Sequence, residues 1–390
     1  MRFRVQTLNS ISPKGLDRLP RDRYEVGDDV ARPDAILVRS ADMHAMPIPA
    51  SVLAVGRAGA GVNNIPVPLL SQRGVPVFNA PGANANAVKE LVLAGLFLGA
   101  RNIGPALDFV RKLDLSGEAL EAAVERGKQR FVGHELPGRT LGVVGLGAVG
   151  VEVANAAHLL GMHVLGYDPQ ITVQRAWQLS SGVEQALSLE DLFARSHAVT
   201  VHVPLTTGTQ GLVDAKRIAL MPEGGTVLNF ARAAIVDEAA VVAALGTGRL
   251  AAYICDFPSA ATRDVAGVIA LPHLGASTSE AEENSAAMVI DTVRDFLENG
   301  NIRHSVNFPE AALPRVPATA RVAIANSNVP NMVGQISTRL AEAGLNIADL
   351  LNKSRGEVAY TLIDIDGKVP AGLVARIGAI QGVLRARAVQ

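Results

Sequence analysis

Little in this chain serves covalent cross-linking, base stacking or membrane spanning. One cysteine, Cys255, stands among 390 residues, so no intrachain disulfide can form, and that usage fits a reducing compartment. Aromatic residues make up 4%, too few for a platform that stacks nucleic-acid bases. The formal net charge is −1 and no strongly basic block occurs, which removes the electrostatic footprint of a protein that binds phosphate backbones. The first residues, MRFRVQTLNS, lack the apolar core of a signal peptide. The greasiest stretch, LVLAGLFLGA from Leu91, is bounded by Lys89, Glu90 and Arg101; it is too short to span a bilayer and reads as a buried helix. The expectation is a soluble, cytoplasmic protein with no nucleic-acid and no membrane partner. His158, His163, His197, His202 and His273 form no H-x-x-x-H spacing or Cys/His cluster, so no metal is expected. The G-x-S-x-G elbow of a serine hydrolase is also missing.

What is present is core-forming material. Hydrophobic residues are 48% of a chain long enough for two or three domains. Over the first hundred residues, short apolar runs (RVQTL from Arg4, AILVRS from Ala35, LAVGRAG from Leu53, PVFNA from Pro76) alternate with helical stretches, the rhythm of a parallel sheet covered on both faces. A helix is expected from about Asn84 to Ala100. A second series of six strands starts at Thr140: TLGVVG, HVLGYD, AVTVHVP, TVLNFA, AAYICDF and GVIALPH. This describes a doubly wound sheet. The S-x-x-E capping box at Ser277–Glu280 then opens a long helix that stops at Asn299-Gly300. The stretch from Val306 to about Ala320, with Pro309, Pro314 and Pro317, reads as a linker. Beyond it the order strand, helix, strand, strand, helix, strand is ferredoxin-like.

Gly145-Leu146-Gly147-Ala148-Val149-Gly150 is G-x-G-x-x-G, a weak signal alone. Its setting is stronger: it follows the strand LGVV and opens the helix VEVANAAHLLGM. Glycines there permit a tight turn and let a pyrophosphate approach the helix's positive end. The next strand ends at Asp168, 18 residues past Gly150. An acid at that position accepts ribose hydroxyls and repels a 2′-phosphate. The first base after it is Arg175, so NAD is favoured over NADP.

Three further elements follow late strands of the same series, where open α/β sheets bind ligands: LNFARAAIVD with Arg232, ICDFP with Asp256, and LPHLGAST with His273. Oxidising a 2-hydroxy acid needs a base for the hydroxyl proton while hydride leaves to nicotinamide. It also needs a cation on the carboxylate and carbonyl. An imidazole titrates near neutrality, which suits His273 to the first role, and a guanidinium's fork suits Arg232 to the second. His202, within VHVPL, reads as a local packing or hydrogen-bonding residue.

GLGAVG, HVPLT, NFARAAIVDE and LPHLGAST, in that order and spacing, resemble the D-isomer-specific 2-hydroxyacid dehydrogenases. ILVRSA, RAGAGVNNI and NAPGANANAVKEL resemble the branch of that family acting on 3-phosphoglycerate, and the C-terminal unit resembles an ACT domain. The resemblance covers nearly the whole chain. It implies two doubly wound, Rossmann-like parallel-sheet domains plus a C-terminal ferredoxin-like ACT domain. Residues 1–100 and 281–310 would form a discontinuous substrate-binding domain, 101–280 an NAD-binding domain and 320–390 a regulatory domain. The implied reaction is NAD-dependent oxidation of 3-phospho-D-glycerate to 3-phosphohydroxypyruvate, the entry step to L-serine, in a homodimer or homotetramer. Arg232 would bind the substrate and His273 would be the acid/base. Cofactor contacts would come from Gly145, Gly147, Ala148, Val149, Gly150, Asp168, Pro204, Phe230, Ala231, Asp256, Gly275 and Ala276. Arg39 and Ser40 would face the substrate, with backbone N–H groups of the loop Gly59-Ala60-Gly61 offered to an anion. Lys89 either adds charge near a phosphate or is a solvated helix residue. Asn326, Asn328 and Asn346 would bind an amino-acid effector, serine, across a dimer interface; otherwise they are turn and cap residues.

The sequence departs from the family pattern in two places. Many members carry a glutamate that pairs with the histidine, but the aligned position here lies near Ala260 in CDFPSAATRD. Asp256, Asp264 or no carboxylate at all are the alternatives. Ala233-Ala234 replaces a commoner Gly-Gly or Gly-Thr. Two other functions stay open: the same chemistry on another D-2-hydroxy acid, and an NAD(H)-sensing binding protein on a dehydrogenase scaffold.

Overall fold

The computed structural model describes residues 2–315 and 319–389. They form two compact units, Met1–Ala83 with Ser279–Gln390, and Asn84–Thr278. Among the described residues no single helix is long and apolar enough to cross a membrane.

The first unit contains two sheets. β1 (Phe3–Leu8), β2 (Tyr24–Gly27), β3 (Ala35–Val38), β4 (Ala54–Arg57) and β5 (Val77–Phe78) form an all-parallel sheet in the order β2-β1-β3-β4-β5. β3 is buried at every position, as expected of a central strand covered on both faces. β2 is an addition to the expected set; as a four-residue edge strand its pattern is too short to read. The helix Ser279–Asn299 lies on β4 through Ala286, Val289, Ile290, Val293, Phe296 and Leu297, all at most 3% exposed. Gly56 makes that approach possible: a Cβ there would stand 2.8 Å from Val293 and 2.9 Å from Val289. The helix begins at Ser279, one residue later than a cap at Ser277 implies.

The second unit carries β6 (Thr140–Val144), β7 (His163–Tyr167), β8 (Val183–Gln185), β9 (Ala198–Val201), β10 (Gly225–Asn229), β11 (Leu250–Cys255) and β12 (Val268–Ala270). All pair in parallel, in the order β12-β11-β10-β9-β6-β7-β8. β8, three residues at the edge, is the strand that periodicity missed. The chain leaves β6 in one direction and resumes beside it at β9, so the switch point lies between the carboxyl ends of β6 and β9. The helix Ala85–Ala100, expected with the first sheet, belongs to this unit. It packs through Gly95 and Gly99, where added Cβ atoms would meet Leu228, Ile254 and Phe230 at 3.1–3.3 Å. Its small-residue face is therefore complementary to β10 and β11.

The remaining strands, β13 (Thr319–Ser327), β14 (Ile347–Arg355), β15 (Val358–Asp366) and β16 (Val383–Val389), form an antiparallel sheet in the order β14-β15-β13-β16. With helices Met332–Glu342 and Leu373–Gly378 this is the ferredoxin-like unit. One sheet face packs on its own two helices through Val322, Ile324, Ile336, Ile363, Ile365 and Ile377. The other face, Ala323, Ala325, Tyr360 and Leu362, joins the core of the first sheet. This sheet therefore belongs to the first unit instead of standing apart from it.

The expectation of a linker over 306–320 fails for its described part. Ile302 and Ala311 pair as an antiparallel bridge, Phe308 is 1% exposed, and its ring meets Tyr360 edge-on at 6.3 Å. The prolines keep this segment extended without keeping it out of the core. Residues 316–318 lie outside the described residues.

A buried ion pair fixes the junction. Arg321 and Asp364 are cross-strand partners, both 0% exposed. The guanidinium donates to both carboxylate oxygens at 2.6 and 2.8 Å, and to the carbonyls of Asn299, Leu313 and Pro314 at 2.8–3.0 Å. All five of its N–H groups are thereby used. Removing one partner strands the other charge in the core, which costs about 3–5 kcal/mol. Arg321→Met is expected to lower the unfolding free energy by about that amount in urea titration, and Arg321→Met combined with Asp364→Leu to recover part of it.

Candidate active site

The nucleotide loop is built as the glycine spacing implies. Gly145 takes a φ of +91° directly after β6, and its N–H donates to the Tyr167 carbonyl. At Gly150 a Cβ would lie 1.9 Å from the Gly145 carbonyl oxygen, so only glycine allows the following helix, Ala148–Leu159, to sit this close to the strand. At Gly147 an added Cβ would meet nothing within 4 Å, which leaves the turn open to a ligand. The helix's first N–H groups, from Ala148 onward, point their positive end at that opening. Asp168 ends the next strand. Its Oδ2 accepts the Leu146 N–H and its Oδ1 the Gln170 N–H, each at 2.9 Å. A carboxylate offers about four lone-pair sites, so this one both braces the glycine loop and retains capacity for two hydroxyls. These residues fit a dinucleotide. Pro204, past the end of β9, is exposed, and its carbonyl accepts from the Thr209 hydroxyl at 2.5 Å.

His202 lies between the two. Its N–H donates to the Val144 carbonyl at 2.7 Å and its Nε2 is 3.0 Å from the Thr200 hydroxyl. Burial holds its pKa down at about 4. It is thus a neutral structural residue at the switch point.

Arg232, Asp256 and His273 follow the carboxyl ends of β10, β11 and β12, three neighbouring strands. Arg232 is exposed, and its guanidinium donates to the Ala231 carbonyl at 2.6 Å. Its loop is held from below by Asn229, which is fully buried, accepts the Ala231 N–H through Oδ1 and donates to the Arg232 carbonyl. Sequence reading passed over Asn229; the available signal was an amide inside an apolar strand. Phe230 departs from expectation, because its ring is 6% exposed in the core against Gly95. Only its backbone is free to meet a cofactor.

Asp256 is 1% exposed. Its Oδ1 accepts the Leu274 N–H and its Oδ2 the Gly275 N–H, both at 2.7 Å. Both oxygens hold the backbone of the histidine's loop, and among the described residues no carboxylate oxygen comes within 4.0 Å of the His273 ring nitrogens, so Asp256 is a holder of the loop and not the ring's partner. His273 itself takes a φ of +57°, a left-handed conformation uncommon for a side chain of this size. Gly275 is buried and Ala276 exposed beyond it. Asp264 pairs with Arg263 at 3.0 Å.

In the first unit, Arg39 follows β3 and pairs with Glu282 at 2.5 Å, with both side chains about two-fifths exposed. Ser40 beside it is exposed. Exposed pairs of this kind are worth roughly 0–1 kcal/mol, so an incoming anion competes for this guanidinium cheaply. The loop after β4 is narrower than expected. The Gly59 N–H donates to the Arg57 carbonyl, and only Ala60 and Gly61 present N–H groups without an acceptor among the described residues. Arg57 was overlooked in the sequence although it ends β4 as Arg39 follows β3. Its guanidinium lies across Gly59, where a Cβ would be 2.3 Å from Nη1. Lys89 sits in the other unit and donates to Asn86 on its own helix.

The three asparagines of the C-terminal sheet are not gathered within one chain. Asn326, 1% exposed, donates to the Ser327 carbonyl, and Asn328 donates to that of Gly356. Asn346 donates to Asp366, at the opposite end of β15.

Comparison with known proteins agrees with this geometry. Residues 103–275 match the D-isomer specific 2-hydroxyacid dehydrogenase, NAD binding domain. The chain belongs to that family of NAD-dependent oxidoreductases. It is 32% identical over 350 residues to a D-3-phosphoglycerate dehydrogenase of Haemophilus influenzae, covering 86% of this chain and 81% of that protein. It is 36% identical over 325 residues to a D-3-phosphoglycerate dehydrogenase of Synechocystis, covering 78% of this chain and 56% of that one. Among solved structures, the NAD+-bound 3-phosphoglycerate dehydrogenase of Entamoeba histolytica aligns with a TM-score of 0.61 at 26% identity, over 79% of this chain and 99% of that chain.

The depressed pKa of His202 gives a pH signature. The unfolded imidazole takes a proton near pH 6.5 and the folded one only near 4. Its contribution to stability is therefore full above pH 6.5 and is lost as pH falls toward 4. Between pH 7 and 4.5 the wild-type unfolding free energy is expected to fall by about 2.5 kcal/mol more than that of His202→Gln, measured by denaturant titration.

Proposed function

We propose that this protein oxidises 3-phospho-D-glycerate to 3-phosphohydroxypyruvate with NAD, the first committed step toward L-serine. Arg232 and His273, after β10 and β12 on either side of β11, in the same sheet as a G-x-G-x-x-G cradle followed by an acid, carry this reading. The cofactor, when bound, supplies the hydride acceptor; Gly147, the first turn of Ala148–Leu159 and Asp168 would hold it. Arg232 grips the substrate carboxylate and C2 oxygen, pulling electron density from the carbon–oxygen bond as it gains double-bond character. His273 accepts the C2 hydroxyl proton at its imidazole during oxidation and returns it during reduction. Within the first unit, Arg39, Arg57, Ser40 and the N–H groups of Ala60 and Gly61 form a donor set of the kind a phosphate takes. The names of the relatives and this donor set favour the phosphorylated substrate over an unphosphorylated 2-hydroxy acid. Intact Arg232 and His273 favour an enzyme over a cofactor-sensing binding protein. We further read the C-terminal sheet as an ACT domain that takes serine between Asn326 and Asn328 of one copy and Asn346 of another, in a homodimer or homotetramer.

The direct test is NADH oxidation with 3-phosphohydroxypyruvate beside unphosphorylated 2-keto acids. Turnover should prefer the phosphorylated substrate. His273→Ala should lower kcat about 10²–10⁴-fold, and Arg232→Lys should raise KM as well, because an ammonium cannot reproduce the bidentate grip. Absence of turnover on every keto acid while NADH still binds would remove the enzymatic reading.

A further inference from the structure

The acid/base imidazole needs something to aim it. A side chain on an exposed loop populates several staggered rotamers, and misplacement of a reacting group by about 1 Å costs on the order of a hundredfold in rate. Dehydrogenases of this kind commonly aim the ring with a carboxylate. This chain has an alanine, Ala260, where one is expected. The structure does not bring another acid in. Within its own unit neither ring nitrogen of His273 has a hydrogen-bond partner among the described residues. Among those residues the histidines with a carboxylate oxygen within 4.0 Å are His44 and His304. Asp256, the nearest acid in sequence to β11's end, is aimed at the N–H groups of Leu274 and Gly275 and not at the ring.

What does meet the imidazole is an aromatic ring. Phe257 lies 5.1 Å from it, centroid to centroid, with the planes inclined at 68°. This is the edge-to-face arrangement that ring quadrupoles favour, worth about 0.5–1.5 kcal/mol beyond the area covered. Phe257 is itself well placed to act as a fixed stop. It directly follows Asp256, whose N–H donates to the Asn229 carbonyl at 3.2 Å, and its own carbonyl accepts from the Cys255 thiol at 3.7 Å. It also precedes Pro258, which disfavours the helical conformation at position 257 and narrows its backbone freedom. The ring is partly buried, while His273 is exposed. The two residues after β11 therefore divide the work between them, with Asp256 holding the backbone of the histidine's loop and Phe257 meeting the ring.

We propose that Phe257 is the positioning residue of His273, an aromatic edge contact in place of a carboxylate. The inference rests on His273 being the acid/base and adds how that base is oriented. Phe257 touches neither substrate nor cofactor in this role, so its loss acts on the rate of the proton-coupled step and not on binding.

The test compares Phe257→Ala, Phe257→Leu and Phe257→Tyr with wild type, each assayed for kcat and KM with 3-phosphohydroxypyruvate and for NADH affinity by fluorescence. Phe257→Ala and Phe257→Leu should lower kcat about ten- to a hundredfold with KM and NADH affinity within twofold of wild type. Phe257→Tyr, which keeps the ring, should stay within threefold of wild-type kcat. The leucine variant retains most of the volume, so its failure isolates the aromatic edge from packing. A kcat within threefold of wild type for Phe257→Leu would overturn the proposal. So would a loss in which Phe257→Tyr is equally impaired, or in which NADH affinity falls in parallel. His273→Ala in the same assay separates the two claims: if it retains wild-type kcat, the acid/base assignment fails first, whatever the Phe257 variants show.

Discussion

One buried carboxylate, Asp256, sets the geometry of the loop that carries His273. Asp256 is nearly inaccessible, and burying an ionised group is tolerable only when its lone pairs are satisfied. Here the satisfaction comes from the N–H groups of Leu274 and Gly275, on the loop after the neighbouring strand. That choice forces the loop to curl back over the end of β11, and the curl places His273 at positive φ. The unfavourable backbone of one residue is thus maintained by charge-assisted bonds to the next two. Asn229 does a gentler version of the same work for Arg232, with one amide holding both ends of the turn. Arg232 and His273 are in this sense suspended from two buried polar side chains that stand at the last or next position of adjacent strands.

The other unit depends on a helix instead of a loop. Ser279–Asn299 presents Glu282 to Arg39 near its start, covers β4 along its middle, and near its end offers carbonyls to the C-terminal sheet. It is one continuous element, so the Arg39–Glu282 pair and the C-terminal sheet share a single member.

Much of this was legible in the sequence because it obeys local rules. Ten of the parallel strands announced themselves as short apolar runs, and the glycine spacing with its trailing acid identified the cradle. β2 and β8 were not legible, since three or four residues at a sheet edge carry no period. The helix Ala85–Ala100 was recognised but placed with the wrong sheet, because apolarity on all sides says that a helix is buried without saying against what. The segment 306–320 misled, over its described part, through Pro309 and Pro314; they predict extended chain, and extended chain can pack as well as loop. Arg57 and Glu282 were missed because an arginine's neighbours depend on tertiary geometry. Phe257 was invisible for the same reason: nothing in CDFP says that a ring 16 residues onward will lie against it.

The polar joints of the C-terminal sheet with the rest of its unit are made mostly by arginines, and their acceptors are nearly all main-chain oxygens. Arg385 reaches the carbonyls of Ala50 and Val52; Arg387 those of Phe296 and Leu297; Arg321 those of Asn299, Leu313 and Pro314; Arg355 that of Ser305. A carbonyl belongs to every residue type, so the receiving surface can change side chains freely while the joint survives. Only the donor side is answerable to mutation. The sheet carries most of its own polar fasteners, so at these joints a lineage can change the side chains of the receiving segments and keep the bonds.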